Sequence, residues 1–207
     1  MDSSVGPTLR DRKRARTRAA IVAAGTELFA RHGYDETTVA DIAVAADIGT
    51  RTFFSYFTSK EELLFPENDA RLQTALDAID ARGSADRPAD LLLRALGDPR
   101  LESGEIVSPL AALRLRLMET VPAVRGRALQ MQRDAQRQIA TRLIEAFPEL
   151  DEVNAAALTG AFIGAVTGAL DALLADPAAV ARGRADLARR LREATSSALA
   201  AGGPSVT

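Results

Sequence analysis

The chain has no cysteine and a single histidine, His32, among its 207 residues. Structural disulfides, thiolate metal sites and cysteine nucleophiles are excluded together, and so is a histidine-rich metal centre. Tryptophan is absent and aromatic residues make up only 4%. Lysine is nearly missing. Of the 26 basic residues only Lys13 and Lys60 are lysines, which codon bias in a GC-rich genome explains. Strand signals are missing too, since nowhere do β-branched and aromatic residues alternate between turn residues. There is no glycine-rich phosphate loop, no HExxH and no GxSxG. Carboxylate pairs such as Glu61 with Glu62, or Glu149 with Asp151, read as helix caps and solvated faces. No catalytic residue, metal or cofactor is expected.

What is present suits a folded globule. Hydrophobic residues are 47% and charged residues 26%, and this length suffices for one large or two small domains with a real core. Abundant alanine favours helix. The net charge of −2 is unevenly spread. Residues 1–60 hold 9 basic and 7 acidic groups (+2), and residues 61–207 hold 17 and 21 (−4). Six basic residues (Arg10, Arg12, Lys13, Arg14, Arg16 and Arg18) crowd into 10–18 against Asp11. A basic front on an acidic body points to a polyanion partner for the front. The least charged stretch, Val153 to Leu170, contains Asn154, Thr159, Thr167 and three glycines. It reads as a buried helix of a soluble protein, because a membrane span needs about 20 strongly apolar residues. The N-terminus lacks the apolar stretch of a secretory signal. The expected location is the cytoplasm, with no membrane partner.

The periodicity predicts an all-α protein. Residues 1–9 are expected to be irregular. A first helix is expected from about Arg14 to Arg31, with Ile21, Ala24, Leu28 and Phe29 as its apolar stripe and Gly33 at its end. Thr37 or Thr38 can cap a short second helix reaching Ala45. A third is expected over Thr50 to Phe57. The sequence Ser59-Lys-Glu-Glu62 reads as a capping box that starts a fourth helix running through Leu63 toward Arg82, kinked by Pro66. Further helices are expected near 88–96, 104–119, 122–146, 151–175 and 184–200, and the tail from Ala201 to Ser205 is expected to fray. The domains expected are 10–60 and 61–202.

The informative segment is 37–62, TTVADIAVAADIGTRTFFSYFTSKEE. Two helices too short to be stable alone are joined by a four-residue turn, so each needs the other to bury its apolar side. Ile42, Ala46, Ile48, Phe53 and Phe57 supply that side, and the small Ala43 permits a close helix crossing. This is helix-turn-helix spacing. On a wheel of about 100° per residue, Phe53 and Phe57 share one face while Arg51 and Ser55 lie opposite, flanked by Thr52 and Phe54. The N-terminus at Gly49-Thr50-Arg51 offers unpaired backbone N–H groups and a positive dipole end. Arginine can donate two bonds to a guanine edge, and threonine can bond a base or touch a thymine methyl. Tyr56 and Lys60 flank the helix where phosphate contacts would orient it. The arm at 10–18 adds salt-dependent affinity without base choice.

These residues resemble the TetR family of bacterial repressors over about 15–65. The match lies in Ala23-Ala-Gly-Thr-Glu-Leu-Phe29, Gly33-Tyr34, Thr37-Thr-Val-Ala-Asp-Ile-Ala43, Thr52-Phe-Phe-Ser-Tyr-Phe57 and Ser59-Lys-Glu-Glu-Leu63, in the family's order and spacing. The resemblance implies an N-terminal three-helix DNA-binding domain and a C-terminal helical domain that dimerises and binds a small effector. By position it implies base contacts from Thr50, Arg51 and Phe54, and phosphate contacts from Thr38, Thr52, Tyr56 and Lys60. Gly49 and Ser55 complete the candidate DNA-binding set. Three positions depart from the pattern. Asp47 replaces the turn glycine, and aspartate tolerates the left-handed region better than most residues. Gly49 replaces a serine cap. Phe54 stands where a tyrosine is common and lacks its hydroxyl.

In the C-terminal body, Gly160, Gly164 and Gly168 recur every four residues within an alanine-rich helix. Each glycine costs the helix nearly 1 kcal/mol against alanine, so something must approach that face closely. A partner subunit, a neighbouring helix and a ligand are the three readings. The resemblance favours the first, a homodimer. The segment Thr120-Val-Pro-Ala-Val-Arg125, after Leu113-Arg-Leu-Arg-Leu117, is similar to a subgroup of these repressors with an acyl-CoA-like ligand. Leu113, Leu117, Met118, Met131, Phe162 and Val166 are candidate walls of an effector pocket and also fit plain core. Arg114, Arg116, Arg125 and Arg127 suit either a ligand phosphate or solvent. The expectation is a ligand-responsive repressor that binds a near-palindromic operator in double-stranded DNA. The alternative is a small-molecule-binding protein that no longer reads DNA.

Overall fold

The protein is described from a computed structural model over residues 8–66, 68–98 and 109–201. Among these residues there are ten α-helices and no strand: α1 (Leu9–His32), α2 (Val39–Ala45), α3 (Thr50–Phe54), α4 (Asn68–Asp80), α5 (Pro88–Leu96), α6 (Pro109–Thr120), α7 (Pro122–Ala146), α8 (Glu152–Ala175), α9 (Pro177–Ala181) and α10 (Arg184–Ala201). A 3-10 turn, Glu61–Leu64, precedes α4. The chain divides into two compact units after Pro66.

The first unit wraps α1 around the two short helices. Thr8 and Asp11 form a reciprocal capping box, so α1 starts at Leu9 rather than near Arg14, and the expected irregular start gives way at Thr8. The added residues carry the basic arm as helix. Ile21, Gly25 and Phe29 are the buried stripe of α1, with Ala24 and Leu28 half-buried beside them. Gly33 ends the helix at φ 89°, a value that favours glycine. The expected capping box at Ser59 does not form. Glu62 instead accepts the Thr58 N–H at 2.7 Å. The chain then makes a 3-10 turn that places Leu63 and Leu64 in the core. Phe65 leaves helical geometry ahead of Pro66, so proline ends this turn rather than kinking a longer helix.

Gly25 shows how tightly this unit is packed. A Cβ there would lie 2.5 Å from Leu63 Cδ1 and 3.8 Å from Ile42 Cδ1. Leu63 is fully buried and has no room to swing away. Gly25→Ala should therefore destabilise the unit by about 1–2 kcal/mol, because overpacking of about 1–3 kcal/mol outweighs the helix-propensity gain of up to about 1. Thermal unfolding checks the sign, and a raised melting temperature would contradict it.

In the second unit, proline marks the start of several helices. Pro88, Pro122 and Pro177 each occupy a first-turn position, where the missing N–H costs nothing. Asp151 caps α8 by accepting the Asn154 N–H at 2.8 Å. Helix α9, absent from the sequence expectations, is capped by Asp176, which accepts the Ala178 N–H at 2.9 Å. The main core joins Ile79, Leu91, Leu92, Leu143, Phe147 and Phe162 from α4, α5, α7 and α8 with the residue after α7. A smaller cluster joins Leu173, Ala179, Leu187 and Leu191 at the junction of α8, α9 and α10. Arg142 of α7 donates to both Asp80 carboxylate oxygens at 2.7 and 2.8 Å, tying α7 to α4. Arg125 donates to the Met118 and Glu119 carbonyls at 3.1 Å, closing the end of α6, so its guanidinium serves a helix C-terminus. The expected helix over 104–119 is seen from Pro109, and its first residues lie outside the described ones, as does the tail beyond Ala201.

Helix α8 differs from its expectation. It is long and apolar enough to cross a membrane by length and composition. The sequence reading made it a buried helix, yet only Ala155, Thr159, Phe162 and Leu173 are fully buried. Its other face, including Ala157, Ala161, Gly164, Gly168 and Ala172, is exposed in the single chain. The three glycines separate. A Cβ at Gly160 would meet Gln136 Nε2 of α7 at 3.1 Å, while at Gly164 and Gly168 it would meet nothing within 4 Å among the described residues.

Candidate nucleic-acid interface

The turn between α2 and α3 is assembled from local bonds. The Thr38 hydroxyl accepts the Asp41 N–H at 3.2 Å, and the Asp41 carboxylate accepts the Thr38 N–H at 2.9 Å and its hydroxyl at 2.6 Å. Those bonds hold the Asp41 carboxyl below the ordinary aspartate range. The Ile48 N–H reaches back to the Ala43 carbonyl at 2.9 Å. Asp47 adopts φ 54°, the left-handed conformation that the family fills with glycine. Gly49 caps α3 with no side-chain bond.

Helix α3 ends after Phe54, three residues before its expected end. The Ser55 N–H donates to the Thr52 carbonyl and the Tyr56 N–H to the Phe53 carbonyl, at 3.0 and 2.9 Å, and the chain tightens into a turn. Phe53 and Phe57 point inward as expected, with ring centroids 5.8 Å apart. Thr50, Arg51, Thr52, Phe54 and Ser55 are exposed together. Phe54, 57% exposed, stands edge-on against Phe53 at 5.4 Å and 84°.

Other candidates have internal partners. The Ser55 hydroxyl donates to the Thr52 carbonyl at 2.7 Å. Lys60, expected to touch a phosphate, donates from Nζ to the Tyr34 and Thr37 carbonyls at 2.7 and 2.9 Å. Its ammonium also lies 4.1 Å from the Tyr34 ring centroid. Tyr34 is buried and its hydroxyl donates to Glu61. Burial, then the Glu61 carboxylate, pushes the Tyr34 hydroxyl well above the ordinary tyrosine range. Burial also pushes the Glu61 carboxyl up, but hydrogen bonds from Ser59 and Tyr34 outweigh it and leave Glu61 below its usual value.

The basic arm divides in the same way. Arg18 donates to the Pro66 carbonyl at 2.9 Å and stacks 4.3 Å from the Phe57 centroid. Arg14 stacks 4.9 Å from the Tyr56 centroid and donates to the Ser55 carbonyl at 3.4 Å. Arg10, Arg12, Lys13 and Arg16 are exposed along α1. Sequence reasoning treated 10–18 as one phosphate-binding arm and missed that Arg14 and Arg18 brace the end of α3. Their i, i+4 spacing was the only available signal.

The candidate effector residues lie in the second unit. Leu113, Leu117 and Phe162 are buried, and Met118, Met131 and Val166 are half-buried. Phe162 belongs to the main core, with Val166 packed against it. Burial pushes the Asp171 carboxyl of α8 up, partly offset by Arg114 of α6. A surface groove of about 580 Å³, lined by Asp80, Arg82, Ser84, Arg142 and Glu145 among others, contains none of the six wall candidates.

A capped α2, a left-handed turn at Asp47 and a short helix with a polar outward face define a helix-turn-helix unit, here joined to a larger helical unit. The family model of bacterial regulatory proteins, tetR family, matches residues 21–65. The HTH-type transcriptional regulator TcmR of Streptomyces glaucescens is 34% identical over 153 residues, 70% of this chain and 66% of TcmR. The match thus spans just under two thirds of that relative. Among solved structures, Thermus thermophilus FadR in complex with lauroyl-CoA is 21% identical with a TM-score of 0.54, over 92% of this chain and 97% of that one. The SmeT–triclosan complex is 21% identical with a TM-score of 0.60, over 90% and 91%. At this identity the structures establish the shared fold. Residues 21–65 thus match the N-terminal domain of the tetR family of bacterial regulatory proteins, and the helical body shares the fold of the solved relatives.

Proposed function

We propose that the protein is a cytoplasmic, homodimeric transcription regulator of the repressor type, which reads a near-palindromic operator and releases it on binding a small apolar or acyl-like effector. The observation that carries this is the outward face of α3, where Thr50, Arg51, Thr52 and Phe54 are presented together beside the basic start of α1. A helix so presented fits a major groove. Two such helices in a twofold dimer would meet successive grooves about 34–36 Å apart. Dimerisation is supported by α8, whose apolar face with Gly164 and Gly168 has no cover among the described residues. The effector reading is supported by fold relatives solved with lauroyl-CoA and with triclosan, and Leu113, Leu117, Met118, Met131, Phe162 and Val166 are the proposed walls. An effector shifts the regulator only by its differential affinity for the two states.

Selection of duplexes from a random pool tests the reading directly. Arg51→Ala should then cost about 1–3 kcal/mol on the selected operator and relax base preference at one position in each half-site. Unchanged affinity and an unchanged selected motif would remove Arg51 from the readers.

A further inference from the structure

From the geometry of α3, we infer that Phe54 reads the C5-methyl of a thymine lying one or two base pairs from the guanine that Arg51 reads. The inference rests on the DNA-binding reading above and goes beyond it by assigning the chemistry at a second base. The side chain is 57% exposed, an unusual state for phenylalanine in a unit whose other phenylalanines are buried or half-buried. Its ring is not loose. It stands edge-on against Phe53, which is fully buried, at 5.4 Å and 84°, so its orientation is held in advance of any partner. It has no donor or acceptor and gains nothing from a phosphate or a polar base edge. The apolar group that the major groove offers is the thymine methyl. Of the neighbours, the Ser55 hydroxyl bonds the Thr52 carbonyl and Tyr56 lies under Arg14, while the exposed Thr50 and Thr52 carry a single methyl each against the full ring of Phe54.

The spacing follows from the helix. Arg51 and Phe54 are three residues apart, about 4.5 Å along the axis, against about 3.4 Å between successive base pairs. Their contacts therefore fall on adjacent or next-but-one pairs. Each half-site should contain a guanine and a thymine in that register.

The test uses the full chain and the duplex selected for it, with each thymine replaced singly by deoxyuridine, which removes only the methyl group. Binding is read by fluorescence anisotropy. One thymine per half-site, next to or one removed from the guanine lost in Arg51→Ala, should show about fourfold weaker binding as uracil, the worth of one buried methyl. In Phe54→Ala that thymine-to-uracil ratio should fall to about one, while the guanine preference persists. The melting temperature should be unchanged, because the ring is largely exposed. Two results overturn the inference: no thymine whose methyl matters, or a methyl effect that survives in Phe54→Ala. Failure to select any duplex overturns the DNA-binding reading itself, and this inference falls with it.

Discussion

On the proposed dimer, Gly164→Arg is expected to leave the fold intact while yielding monomers, with operator affinity falling at least about 100-fold. Glycine in a helix interior costs about 1 kcal/mol relative to alanine. A Cβ at Gly164 or Gly168 would meet nothing within 4 Å among the described residues, so no contact seen there justifies that cost. The single chain would be more stable with almost any other residue there. A close approach by a second copy, as in the proposed dimer, supplies a reason for glycine there. Arginine at 164 finds space in the monomer and none at a close-packed twofold contact. Sedimentation of the variant should show monomers with unreduced helicity. The loss of affinity follows because two half-sites joined in one dimer bind together, which separate monomers cannot do. Gly160→Arg gives the contrast. Its Cβ would press on Gln136 at 3.1 Å, so it should lower stability within the chain. A dimer that persists in Gly164→Arg would move the interface away from this face of α8.

Lys60→Met should lower the stability of the first unit by about 2–3 kcal/mol. Two carbonyls, those of Tyr34 and Thr37, receive the ammonium at 2.7 and 2.9 Å, and hydrogen bonds to charged groups are worth about 1.5–3 kcal/mol each. The cation also lies over the Tyr34 ring, a further contact of about 0.5–1 kcal/mol. Methionine keeps most of the stem packing and loses the charge, and water recovers part of the difference at these carbonyls. Thermal unfolding should show the first unit melting earlier, by several degrees for each kcal/mol in a unit of this size. Operator binding should weaken because the turn before α2 loosens. A pure phosphate contact behaves differently. It would leave the melt unchanged and reduce the salt slope of binding by about one.

Much of the helix-turn-helix was legible. The cap at Thr38, one of the two threonines offered, the left-handed Asp47, the bare cap at Gly49 and the inward Phe53 and Phe57 all lie where the sequence places them. Each depends on residues within four positions. The misreadings share another cause. Ser59-Lys-Glu-Glu62 has the residues of a capping box, but burial of Leu63 and Leu64 and the pull of Tyr34 on Glu61 draw the segment into a 3-10 turn. Arg18 reads in sequence as part of a basic arm, and the fold adds a partner that the sequence does not show, a carbonyl 48 residues away.

Taken alone, the order of residues determined that the chain is helical, where most helices start, and which short helix turns its polar side outward. Those outcomes follow from caps, prolines and periodicity, whose energies act over one or two turns. The tertiary structure alone decided which cations are committed to carbonyls of the protein itself. It also decided which glycine of α8 faces a neighbour and which face solvent. Residues with identical local surroundings in sequence differ there only in what the fold brings against them.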